Sequence, residues 1–238
     1  MQCIFATIVE GGNPVTRQVD VVVLDVNETL SDFEPLRRRF TDSGAPGHLF
    51  ETWFAGTLRD GFALAAAGRA RPFPVVAAAV LRGLLSGLDL NRSLEEAVSH
   101  VLDGFPELEV HADVPAGLRA LVEGGLRVVT LTNGSLPVSR ALLERAGVAD
   151  LLERCLSVDD AGRWKPHVDA YAYAARACNV SLERCAMVAV HPWDLMGAAT
   201  VGMTTGWINR TEARWPEAYE RPDVTGTSLS LVASALLR

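Results

Sequence analysis

Short apolar, β-branched runs alternating with helical stretches limit the folds open to this chain. Val21–Leu24, residues 127–131 and residues 186–190 each break off into polar residues, and helical patterns follow Val114, Leu136 and Trp193. Thr204–Ile208, which contains Trp207, is a weaker fourth run. Strands of this length alternating with helices predict parallel β-α units, hence an α/β fold with a parallel sheet flanked by helices. Between Leu24 and Arg127 lie about 100 residues, too many for one crossover. Most of them read as helix, over 33–40, 47–66, Phe73–Leu85 and 93–102, with turns at 43–47 and 71–74. The expected organisation is an N-terminal extension (1–18), a core (19–31 and 107–238) and a helical cap (32–106). The cap would lie over the carboxyl ends of the strands, where open α/β sheets bind ligands. Residues 210–223 read as a loop and 228–237 as a closing helix.

Composition narrows the function classes. Lys plus Arg number 22 against 29 Asp plus Glu, a net charge of −7, which disfavours a sequence-independent grip on nucleic acid or anionic membrane. The most apolar stretch, 61–88, is broken by Arg69, Arg71, Pro72, Pro74 and Arg82, so no membrane span is expected. The first nine residues are apolar but lack a basic start, and Glu10 follows; this is not read as a signal peptide, and a cytoplasmic location is expected. Cysteines at 3, 155, 178 and 185 show no C-x-x-C spacing, and Cys155 and Cys185 sit in apolar contexts that predict buried thiols.

Four places carry chemistry. Asp25 ends the first apolar run, in Leu24-Asp25-Val26-Asn27-Glu28-Thr29. A carboxylate there is costly to bury unless its charge is used, and it can serve as a nucleophile that forms an ester; a turn cap is the plainer alternative. Thr132-Asn133-Gly134-Ser135 follows the second run, which alone is a generic turn. Lys165-Pro166 precedes a helical pattern over 167–177, and a lone lysine is ordinarily a solvated surface residue. His191-Pro192-Trp193-Asp194 follows the third long run.

In this order, strand-Asp-x-x-x-Thr, helical insertion, strand-Thr-Asn, Lys-Pro and strand-loop-Asp, the chain resembles the haloacid dehalogenase superfamily over roughly residues 19–210. Tyr171 six residues after Lys165, Trp193-Asp194, Gly197-Ala198 and Trp207-Ile208-Asn209-Arg210 resemble the L-2-haloacid dehalogenases in particular. The resemblance implies a Rossmann-like core under a helical cap. It implies Asp25 as nucleophile, Thr29 as its orienting donor, Lys165 holding it ionised, and Asp194 positioning Lys165. Thr132 and Asn133 would contact substrate or nucleophile, and Tyr171 would lie near the substrate. The expected substrate is a small 2-halocarboxylate hydrolysed by water, with no metal or organic cofactor. A homodimer is left open, although the apolar stretch Phe73–Leu85 is better explained by burial between cap helices.

A magnesium-dependent phosphatase is the main rival within this superfamily. It calls for a second aspartate two residues after the nucleophile, where this chain has Asn27, and for a pair of acids in the last motif, where Asp194 stands alone. Glu28 stands where the dehalogenases usually carry Gly, and His191 where they carry Asn. These residues are expected to meet beside Asp25, with His191, near neutral pKa and oriented by Glu28, acting as general base for the ester-opening water. A structural Glu and a hydrogen-bonded His remain the alternative. The cap helix with Trp53 resembles the one that usually supplies a substrate-binding Arg, but that position is read as Ala55, and Ala189 replaces a usual serine. Arg59, one turn further on, is the candidate replacement; Asn27, Trp53 and Arg59 complete the expected substrate-binding set. Loss of that Arg leaves room for another 2-substituted small carboxylate, and a catalytically silent binding module is the reading without an enzyme.

Overall fold

The computed structural model describes residues 18–238. The expected extension (apart from Gln18), the signal-peptide reading and Cys3 lie outside the described residues. Chain order is β1 (Val21–Leu24), α1 (Glu34–Asp42), α2 (Leu49–Ala66), α3 (Phe73–Leu85), α4 (Leu94–Leu102), α5 (Val114–Glu123), β2 (Arg127–Thr132), α6 (Leu136–Arg145), β3 (Arg154–Ser157), α7 (Val158–Ala161), α8 (Val168–Cys178), β4 (Cys185–Ala189), α9 (Pro192–Thr200), β5 (Thr204–Ile208), β6 (Val224–Gly226) and α10 (Leu229–Leu236).

The six strands form one parallel sheet ordered β3-β2-β1-β4-β5-β6. Strand order reverses at β1, so the crevice between the carboxyl ends of β1 and β4 is the topological switch point, the usual ligand position in such sheets. Leu24 pairs with Thr130 on one side and Val188 on the other, which brings Asp25, Thr132 and His191 to the same edge. β1 and β4 are wholly buried, as near-continuous apolar strands covered on both faces must be. β3 and β6 were not expected from sequence: both are short edge strands, β3 with only its last two residues buried and β6 with none, so their apolar signal is weak.

Helices α1 to α4 occupy the long insertion and pack on one another. The buried face of α3, with Val76, Ala77, Leu81 and Leu85, lies in that bundle against α2 and α4, which explains its apolar sequence. Phe33, Phe50, Trp53, Phe54, Phe73 and Phe105 form a continuous set of ring contacts beneath it. The ends of the insertion are pinned together. Ser31 and Val110 form an isolated antiparallel bridge, Asp32 N–H donates to the Glu109 carbonyl (2.8 Å), and His111 N–H donates to the Leu30 carbonyl (2.9 Å). α2 also touches the core directly: a Cβ on Gly61 would come within 2.1 Å of the Trp164 ring, so only glycine permits this approach next to Lys165. No helix among the described residues is long and apolar enough to cross a membrane. Cys178 and Cys185 are buried, and burial pushes the Cys185 thiol up to about 12. Cys155, expected to be buried, is half-exposed because it lies on the β3 edge.

Candidate active site

Asp25 begins the loop that leaves β1. The chain turns tightly there, with Leu30 and Ser31 N–H groups both donating to the Val26 carbonyl (2.9 and 3.0 Å). That turn returns Thr29 to Asp25, and its Oγ1 donates to Asp25 Oδ2 at 2.6 Å while accepting from Val190 N–H at 3.1 Å. Lys165 Nζ, fully buried, donates to Asp25 Oδ1 (2.9 Å) and Asp194 Oδ2 (2.6 Å). Asn133 fixes the lysine backbone from both sides: Nδ2 donates to the Lys165 carbonyl (3.0 Å) and Oδ1 accepts from Lys165 N–H (2.9 Å). Tyr171 Oη donates to Asp194, 2.7 Å from Oδ1. A Cβ on Gly197 would lie 2.5 Å from that hydroxyl, so glycine is needed for Tyr171 to reach Asp194.

Beside this cluster the Glu28–His191 couple is formed. His191 Nε2 lies 2.9 Å from Glu28 Oε2, and Nδ1 lies 3.2 Å from Asp25 Oδ2. The imidazole also stacks on Trp193 (5.1 Å between centroids) and meets the ring of Phe54 from α2 (6.1 Å). An open groove of about 410 Å³ reaches Glu28 and His191 from outside, between Phe33 and Phe50 of the insertion and His111 and Arg210 of the core.

Burial alone would raise the Asp25 carboxyl, but the Lys165 cation, His191 and the Thr29 hydroxyl outweigh it and hold Asp25 well below the usual carboxylate range. Lys165 is raised: burial opposes its charge, and Asp194 and Asp25 together prevail. Burial pushes Asp194 up, with Lys165 opposing. For His191, burial would lower the ring, yet its bonds to Asp25 and Glu28 raise it to about 9. The expected near-neutral histidine is thus corrected. Placed between two carboxylates, it carries its proton at neutral pH and donates from both nitrogens.

The sign of the pH dependence follows. A group raised on folding contributes its stability in full below its unfolded value and loses it as pH climbs through the folded one. His191 should therefore contribute below about pH 6.5 and cease to contribute above about pH 9, a difference on the order of 3 kcal/mol. Urea unfolding at about pH 6 and about pH 9.5 should show that loss in the wild type and not in His191→Asn. Equal losses would mean that the two ion pairs are not its cause. Asp25 works in the opposite direction, its contribution being present above the ordinary carboxylate range and lost as pH falls through it.

Several expected roles need correction. Trp53 is turned into the insertion, fully buried, with its indole N–H on the Ala77 carbonyl (3.0 Å). Arg59 is largely exposed and pairs with Asp60, and Ala55, on the same face of α2, is exposed too. The α2 ring that meets the His191 imidazole is Phe54, because each helical residue turns the side chain by about 100° and only packing selects the face. Tyr171 supports Asp194, and Asn133 supports Lys165; their polar groups are engaged there. Asn27 and Thr132 flank Gly134, where a Cβ would lie 3.0 Å from Asn27 Nδ2 and 3.1 Å from Thr132 Oγ1. Thr132 Oγ1 accepts from Gly134 N–H (2.8 Å). Phe54 and Trp193 are missing from the expected site set, although the aromatic run 53–54 and the Trp193-Asp194 pair were visible signals.

Comparison with known proteins supports the same assignment of fold. The chain is 34% identical over 146 residues to an (S)-2-haloacid dehalogenase of Pseudomonas sp. (strain YL), covering 61% of this chain and 62% of that one. It is 33% identical over 131 residues to haloacetate dehalogenase H-2 of Moraxella sp. (strain B), covering 55% and 58%. The matches thus span about six-tenths of these curated relatives. A solved L-2-haloacid dehalogenase superposes with a TM-score of 0.85 at 25% identity, covering 93% of this chain and all of that one. The family model for haloacid dehalogenase-like hydrolases matches residues 19–202, and with that match spanning β1 to β4, the insertion and every charged group around Asp25, the chain belongs to the haloacid dehalogenase-like hydrolases.

Proposed function

We propose that the protein is a hydrolytic dehalogenase that converts a small L-2-haloalkanoic acid to the 2-hydroxy acid. The observation that carries this reading is a buried, ionised Asp25 at the switch point, held by Lys165 and Thr29 and joined through His191 to Glu28. The relatives named as 2-haloacid and haloacetate dehalogenases supply the substrate class.

In the first step an Asp25 oxygen attacks Cα in line with the carbon–halogen bond. A C–O bond forms, the halide leaves with the bonding pair, and Cα inverts. In the second step water attacks the Asp25 ester carbonyl; the acyl–oxygen bond breaks, Asp25 is regenerated as carboxylate, and the hydroxy acid departs. The resting His191 already holds its proton and is no base. Esterification removes the Asp25 charge, one of the two that raise His191, so its Nδ1 proton is lost to solvent, the one proton that the net reaction releases. Nδ1, with Nε2 still bonded to Glu28, then takes a proton from water. The net reaction consumes one water and releases one halide and one proton.

Halide release should be measured from separate L- and D-2-chloropropionate, metal-free and with EDTA. Release from the L enantiomer that survives EDTA is expected; release of phosphate from phosphate esters, abolished by EDTA, would support the phosphatase instead. Glu28→Gln and His191→Asn should each slow turnover about 10²–10⁴-fold and let an Asp25 adduct accumulate, read by intact mass. Full turnover in both variants would remove the dyad from the mechanism. A second reading, another 2-substituted carboxylate as substrate, is favoured by α2, which brings the Phe54 ring to His191 while Arg59 is exposed and paired with Asp60. A panel of 2-substituted acids with other leaving groups separates the two.

A further inference from the structure

Glu28 has φ of 60°, the left-handed region, where a residue with a Cβ pays about 1–2 kcal/mol. This is a physical reason for glycine at such a position, and Glu28 holds the conformation under restraint. The restraint is visible in three successive carbonyls of the loop. His111 Nε2 lies 3.0 Å from the Glu28 carbonyl, Arg210 Nη2 donates to the Thr29 carbonyl (2.8 Å), and His111 N–H donates to the Leu30 carbonyl. A carbonyl only accepts, so His111 is the Nε2–H tautomer. Burial, helped by the neighbouring Arg210 cation, lowers its pKa and keeps it neutral. Arg210 is anchored in turn: Nη1 donates to Asp113 Oδ1 (2.8 Å), whose Oδ2 accepts from Leu229 N–H at the start of α10 (2.6 Å). Among the described residues its buried Nε has no partner, and the guanidinium is held by Asp113 and Thr29.

We propose that His111 and Arg210 are positioning residues that clamp the Glu28 and Thr29 carbonyls and so keep the Glu28 carboxylate on His191. The proposal rests on the Glu28–His191 reading given above. Without the clamp, Glu28 relaxes toward right-handed backbone, its carboxylate leaves Nε2, and His191 keeps only Asp25. His111 also belongs to the neck that closes the insertion, so the insertion and the dyad share one residue.

The test is the titration of the His191 ring by NMR, assigned by loss of its signal in His191→Asn. Glu28→Gln should lower that titration by about one unit, and His111→Leu should do the same. His111→Gln, whose amide N–H can reach the same carbonyl, should restore the wild-type value, and Glu28→Gln with His111→Leu should match Glu28→Gln alone. Where His111→Leu does not fold, Arg210→Gln carries the same comparison. In turnover, His111→Leu should lower kcat and KM together, with ester accumulation, and leave kcat/KM unchanged. A wild-type titration in His111→Leu alongside a shifted Glu28→Gln overturns the clamp, as does an additive shift in the double variant. No shift in Glu28→Gln removes the dyad and the clamp together. Shifts as expected in a protein that releases no halide leave the clamp standing and overturn the dehalogenase reading.

Discussion

Asp25→Asn should abolish halide release, lowering turnover by on the order of 10⁴-fold or more, while leaving a folded protein. The amide has almost the carboxylate's shape, and its oxygen can still accept from Thr29 Oγ1. What it lacks is a charge and a nucleophilic oxygen. Lys165 keeps Asp194 at 2.6 Å and His191 keeps Glu28 at 2.9 Å, so neither cation is stranded. The thermal midpoint should therefore fall far less than activity. Intact mass after incubation with L-2-chloropropionate should show no adduct, including in an Asp25→Asn, His191→Asn double variant. Halide release by Asp25→Asn at more than about a hundredth of the wild-type rate would refute Asp25 as nucleophile.

Lys165→Met should have the largest effect on stability, about 3–5 kcal/mol at neutral pH. Asp25 and Asp194 both bond the same ammonium, and all three side chains are buried. With the cation gone, two buried carboxylates face each other, and one must take up a proton or the fold must open. The sign with pH is set by that repulsion. Carboxylates with raised folded pKa cost stability when ionised, so the gap between variant and wild type should narrow as pH falls through about 5. Activity should be lost as well, since a protonated Asp25 cannot attack. Lys165→Arg should not rescue it, because the planar fork is larger than the ammonium and the side chain it would replace is fully buried. Urea denaturation across that pH range reads the effect. A loss under about 1 kcal/mol at pH 7 would show that the three charges are not coupled as their distances imply.

The candidate site was legible wherever chemistry depends on residue type and order along the chain. Asp25, Thr29 and Asp194 follow closely on β1 and β4, whose ends parallel β-α topology brings together whatever else varies, and Lys165, between α7 and α8, is marked by its place in the motif order. Glu28 and His191 were legible as a couple for the same reason, since β1 and β4 are neighbours. Trp53 and Arg59 were misjudged because a helix offers every side chain a different azimuth, and only packing of α2 on the core selects Phe54. His191's ionisation was misjudged because it depends on two contacts rather than one. β3 and β6 escaped notice because edge strands bury too little to leave a clear pattern.

The sequence by itself determined the α/β class, the long helical insertion and the set of charged residues at the β1 and β4 ends. These follow from local periodicity and from the cost of burying charge without use. Tertiary structure alone decided which donors support the machinery and which face it. Asn133 and Tyr171 are committed to Lys165 and Asp194, Glu28 sits in the left-handed region under the hold of His111, and His191 is a cation. Each of these turns on distances of about 3 Å between residues as many as 181 positions apart, as between Arg210 and Thr29. Such proximities are set by the packing of the whole chain, which no local pattern encodes.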